Sequence, residues 1–117
     1  MPHSVRPFSI HNCDVSPHGG NANMSKSDTN YPDQGQWTNN DPKYDYTIIL
    51  PSNVWAPVDS SCSLTFTLTK GQTSCIYQVI PTAPTGPSSY KLTRSDGQAC
   101  QYHKHKLFQD PDVIINS

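Results

Sequence analysis

The sequence predicts an all-β domain, a small antiparallel β-sandwich or barrel with a long loop-rich N-terminal segment. Three observations predict it. Short β-branched and aromatic runs recur after residue 44, separated by Pro and Gly turn signals. One of them, "CSLTFTLT" (62–69), alternates strictly, with Cys62, Leu64, Phe66 and Leu68 on one face and Ser63, Thr65, Thr67 and Thr69 on the other. No window carries the apolar 3.6-residue period of an amphipathic helix.

Taken in order, residues 1–43 are sparse in apolar side chains and read as turns, punctuated by Gly19-Gly20, Pro32 and Asp41-Pro42. Within them Val5–Ile10 and Cys13–Val15 read as edge strands. The β core, 44–117, opens with "YDYTIILP" (44–51), stopped by Pro51. "CSLTFTLT" and "TSCIYQVIP" (73–81) follow, separated by a Lys70-Gly71 turn. "SSYKLTRS" (88–95) runs into Asp96-Gly97, a strong hairpin signal. "QACQYHKHKLF" (98–108) and "DVIINS" (112–117) close the chain. The 117 residues make a single domain, with 1–43 packed on the core.

Composition narrows the function classes. Apolar residues make up 33% and charged residues 15%, with 11 Pro and 6 Gly, so the core is modest and covalent staples would help it. The net charge of −1 and the lack of a Lys/Arg run leave no footprint for nucleic acid. No apolar stretch approaches the ~20 residues of a membrane span. The first residues lack the apolar core of a signal peptide. Four cysteines and a sequon nevertheless favour a secreted protein in which Met1 stands where a leader was removed.

The cysteines are Cys13, Cys62, Cys75 and Cys100. A two-residue turn at Lys70-Gly71 pairs Phe66 with Cys75, Leu64 with Tyr77 and Cys62 with Val79, keeping both apolar sets on one face. Cys62 and Cys75 would then lie about 13 Å apart along the ladder. That is beyond the ~7 Å a disulfide tolerates. The expected bonds are Cys62–Cys100 with Cys13–Cys75, or the swapped arrangement. Four reduced cysteines acting as small core residues are the remaining alternative.

His103 and His105 share a strand face, and His3, His11 or His18 could add a third imidazole, which would make a copper or zinc site. The plain alternative is a solvated polar face. Asp41, Asp45, Asp96, Asp110 and Asp112 could supply an acid–base pair, but no spacing joins them, and no catalytic residue or cofactor is assigned. Trp37, set among Gln and Thr, with Tyr31 and Tyr44 nearby and Trp55 between two prolines, is the expected ligand surface. A planar ring among amides and carboxylates suits a sugar: ring against ring, amides to hydroxyls. The competing roles are core or loop packing for Trp55 and covering an open end of the sheet for Trp37. Asn23-Met24-Ser25 is an N-glycosylation sequon in a predicted loop.

"ILPSNVWAPVDSSCSLTFTL" (49–68) and "LFQDPDVIIN" (107–116) resemble a family of fungal secreted domains, the C-terminal domain of ubiquitin-like-modifier-binding proteins. The shared features are a strand ending in proline, a short loop, a cysteine opening an alternating strand, and a closing Phe-Gln-Asp before a short apolar strand. The middle of the chain is shorter than the family's, and Cys13 and Cys75 lack counterparts there. The resemblance implies an extracellular fungal β-sandwich, associated with a cell surface, a wall or a host, with no catalytic residues to carry over.

The expected function is therefore a secreted, non-catalytic binding module, wall-associated or effector-like, whose partner is a glycan or a protein. The rival is a small metal-dependent enzyme or metalloprotein built on the His cluster. The sequence leaves the oligomeric state open.

Overall fold

Among the described residues, short strands carry inward-pointing side chains onto a core centred on Trp37. The computed structural model describes residues 3–26, 30–104 and 107–117, with nothing described for the side chains of 103–108. The strands are β1 (Val5–His11), β2 (Asp14–Ser16), β3 (Asn23–Ser25), β4 (Gln34–Asn39), β5 (Tyr46–Ile49), β6 (Trp55–Pro57) and β7 (Thr65–Leu68). They continue as β8 (Tyr77–Val79), β9 (Gly86–Ser89), β10 (Lys91–Arg94), β11 (Tyr102–Lys104), β12 (Leu107–Gln109) and β13 (Asp112–Asn116). Among the described residues a 3-10 turn, Gly19–Asn21, interrupts them. The all-β class expected from the alternation is what the chain adopts.

The largest sheet has five strands in the order β2-β1-β4-β8-β6. Its middle is β4, parallel to β1 and antiparallel to β8. Three-stranded sheets β10-β5-β7 and β3-β13-β9 and the ribbon β11-β12 complete the set. The N-terminal segment is thus not a chain of loops laid over a core. Strands β1, β2 and β4 build the main sheet, and β1 is an interior strand rather than the expected edge. β4 reads as loop because its inward positions are Gly35, Trp37 and Asn39, only one of them a large apolar side chain.

Trp37 is the hub of the core. Phe8 stacks on it at 4.7 Å, and Trp55, Tyr77 and Tyr90 meet it edge-on at 5.5–6.1 Å. Its indole Nε1 donates to Tyr90 Oη at 3.3 Å. Gly35 makes this packing possible, because a Cβ there would lie 3.1 Å from Phe8 and 3.3 Å from both Trp37 and Trp55. Buried Asn39 is satisfied by donating to Tyr44 and Leu68 carbonyls, which ties β4 to the sheet containing β7.

The expected β7–β8 hairpin does not form. β7 pairs with β5, as Tyr46↔Leu68 and Ile48↔Phe66, whereas β8 pairs with β4 and β6. Gly71, with φ of +79°, donates to Asn39 O at 2.8 Å, and the chain there crosses from one sheet to another. Phe66 and Tyr77 therefore meet face to face, 5.0 Å apart and 12° from parallel, instead of side by side on a ladder.

The crossing reverses the disulfide expectation. Cys62 and Cys75 have Cα atoms 6.6 Å apart and are bonded to each other. Cys13 is bonded to Cys100. Neither Cys62–Cys100 with Cys13–Cys75 nor the swapped set occurs. The ladder distance that separated Cys62 from Cys75 holds only for two strands of one sheet.

Candidate functional site

A buried carboxylate begins the chain of contacts that leads to an open groove at the His18–Tyr102 stack. Asn12 and Cys13 join β1 to β2, and both take positive φ, +50° and +64°. This is the left-handed pair that a two-residue hairpin turn with the right twist demands, and it is costly for residues other than glycine. Asp41 holds it in place. Its carboxylate accepts from Asn12 N at 2.8 Å, Tyr46 Oη at 2.5 Å, Lys43 N at 2.8 Å and Tyr44 N at 3.3 Å. Burial pushes the Asp41 pKa up, but these donors, Tyr46 foremost, outweigh it and bring it down to about 2. Burial and the same carboxylate push the Tyr46 phenol up to about 12. Tyr46 Oη in turn accepts from Cys13 N at 2.8 Å.

From the fixed turn the linkage is covalent. Cys13 bonds to Cys100, two residues before Tyr102. Tyr102 Oη accepts from Val15 N and donates to Val15 O, so one phenol pairs with both backbone groups of an edge-strand residue. Burial, together with the nearby Asp14, holds the Tyr102 phenol well above its ordinary range, and it stays a donor at any ordinary pH. With its hydroxyl committed to β2, Tyr102 offers its ring. The His18 imidazole stacks on that ring at 3.9 Å, 20° from parallel.

This stack forms one wall of an open groove of about 290 Å3. The 3-10 turn Gly19–Asn21 forms a second side, and Gln109, Asp110 and Asp112 a third. Parallel pairing of β3 with β13, Ile114 opposite Asn23, sets the turn beside the start of β13. Asp110 Oδ2 holds Lys91 Nζ at 2.8 Å, and its Oδ1 faces Gln101 Nε2 at 3.4 Å. Two carboxylates, two side-chain amides and a stacked ring pair around a cavity of this size suit a small polyhydroxylated ligand, with polar groups for hydroxyls and rings for C–H faces.

The aromatics expected to bind ligand do not assemble as a surface. Trp37 and Trp55 are together, but both are buried in the core. Tyr44 is half-buried, with the Arg94 guanidinium 4.2 Å over its ring. Tyr31 is exposed, and no ring contact joins it to either tryptophan among the described residues. The tryptophans are inside because a small core has few other large apolar groups to fill it.

His103 lies in β11, but its side chain, and His105 altogether, fall outside the described residues. Of the imidazoles proposed as third ligands, His3 pairs with Asp33 and His18 with the Tyr102 ring. The described residues hold no group of three or more His, Cys, Asp or Glu placed to bind a metal. Asn23 of the sequon is on β3 rather than in a loop, its Nδ2 donating to Gly20 O at 3.0 Å.

In the sequence, Asp110, Asp112 and His18 stand out only as separate titratable residues, and Tyr102, Asn21 and Gln109 carry no signal of their own. Gly19-Gly20 was legible only as a turn. No local signal links residues 18 and 102, because the disulfide and the β2 clamp bring them together. No protein-family model matches the chain, and no curated protein is similar to it at a significant level.

Proposed function

We propose that this protein is an extracellular, non-catalytic binding module and that a glycan is its ligand. The observation that carries the reading is the His18–Tyr102 groove, where a fixed ring stack, side-chain amides and carboxylates surround a cavity of about 290 Å3. That volume is just below the roughly 300–1,000 Å3 range of drug-sized sites, which fits a short saccharide better than a protein surface. Two disulfides suit an oxidising compartment. The resemblance to fungal secreted domains supports a wall-associated or effector-like setting. The ligand surface in this reading is the groove, and the Trp37 region serves as its foundation.

A glycan array probed with the labelled protein tests this. The expected outcome is retention on a restricted set of short saccharides, reduced at least about tenfold by His18→Ala, which removes one ring of the stack. His18→Ala should leave the melting temperature nearly unchanged, because His18 is not a core residue. Retention on no glycan, or identical retention by the variant, would overturn the reading.

A further inference from the structure

The two groove carboxylates differ in what they touch. Asp110 is neutralised by Lys91, whose Nζ sits 2.8 Å from Oδ2. Asp112, at the start of β13 and half-buried, pairs through its backbone with β9, but its carboxylate has no hydrogen bond or ion pair among the described residues. No Lys or Arg side chain lines the groove among those residues, and Asp14 adds a further negative charge beside Tyr102. The way to Asp112 is kept clear by Gly19. A Cβ on Gly19 would lie 3.4 Å from Asp112 Oδ1, and its φ of +55° disfavours other residues. Gly20 beside it faces open space, with nothing within 4 Å of a Cβ built there.

We infer that the groove selects saccharides carrying a free amine, with Asp112 receiving the ammonium and the His18–Tyr102 stack supporting the sugar ring. This rests on the groove being the glycan site, and it names the ligand class that site prefers. Covering a half-buried, unpaired carboxylate with a neutral sugar costs desolvation that hydroxyls offset only in part. An ammonium replaces the lost water with a charge-assisted hydrogen bond. It also gains from the ring faces beside it. A sulfated, phosphorylated or uronic sugar would bring a second negative charge to Asp112 and is disfavoured. A divalent cation is a poorer match, since the described residues supply no cluster of three ligating side chains.

The experiment is calorimetric titration with three oligosaccharides of equal length: glucosamine oligomers, their fully N-acetylated counterparts, and glucose oligomers. It is run where the amine is protonated, at low and at high salt. The expected result for the native protein is at least about tenfold tighter binding of the free-amine oligomer, narrowing as salt screens the pair. Asp112→Asn should bring the three oligomers within about twofold of one another. Equal native affinities, or a preference that survives Asp112→Asn, would overturn the amine inference and leave the glycan reading standing. Binding of none of the oligomers, together with an empty glycan array, would overturn both. The native protein's preference is read without any variant, so the inference stays testable if Asp112→Asn fails to fold.

Discussion

Two aromatic centres, built from similar rings, serve opposite purposes. Around Trp37 five other aromatic rings close on each other, all of them buried except the half-buried Phe66. Around Tyr102 a single His18 ring stacks at the edge of a groove, and the phenol hydroxyl is spent on the backbone of β2. The first centre is held by burial, which is worth several kcal/mol for residues this large. The second is held by a disulfide and hydrogen bonds, and keeps a surface free. Only the second centre therefore leaves ring surface at the edge of a groove, which is where the proposed ligand would sit.

The sharpest way to break the comparison is at Gly35. Gly35→Val would drive methyl groups into Phe8, Trp37 and Trp55, and Trp37→Ala would empty the hub. Each should cost roughly 3–5 kcal/mol or more, read as a lowered urea midpoint or failure to fold. A loss below about 1 kcal/mol would mean that Trp37 is not the packing centre.

The disulfides come next. Cys13–Cys100 spans 87 residues and Cys62–Cys75 spans 13. Loop-closure entropy gives about 4.5 and 3 kcal/mol respectively. Paired Cys→Ser variants should follow that order in thermal unfolding, and only the Cys13/Cys100 pair should also weaken groove binding. Equal loss of binding in both would remove the special link between Cys13–Cys100 and Tyr102.

Asp41 gives a pH signature. Its folded pKa, about 2, is below the ordinary value of 3.8. A depressed carboxylate stabilises the fold above its unfolded pKa, and that contribution disappears as pH falls through the folded value. Stability should therefore drop by on the order of 2 kcal/mol between about pH 4 and pH 2. Asp41→Asn should flatten this part of the profile, measured as urea unfolding against pH.

The smallest expected effect is at Tyr102. Tyr102→Phe keeps the ring stack and loses the clamp on Val15, costing about 1–2 kcal/mol. Amide exchange at Val15 should quicken while His18 stays stacked. Unchanged exchange would show that the hydroxyl does not hold β2.

Much of the fold was legible locally. Residues 65–68 announced themselves by alternation, 77–79 lay in a run between the Lys70-Gly71 turn and Pro81, and 112–116 and Val5–Ile10 were read as short strands. β4 was hidden because an inward Gly and an inward Asn break the apolar period, although both positions are forced by packing and hydrogen bonds. β6 was hidden for the same kind of reason, being three residues long and ending in proline. The groove was illegible because its members come from residues 18–21, 102 and 109–112, and no local spacing unites them.

Alternation, turn residues and cysteine count are local properties, so the sequence alone determined the β class, the positions of most strands and the need for staples. Which strands become neighbours depends on long-range contacts. The same Lys70-Gly71 segment suits a hairpin or a crossing, and the capture of Gly71 N by Asn39 O, with Phe66 meeting Tyr77 across the core, selects the crossing. Only the tertiary structure therefore decided that Cys62 bonds Cys75, that Trp37 is buried, and that His18 and Tyr102 share a groove.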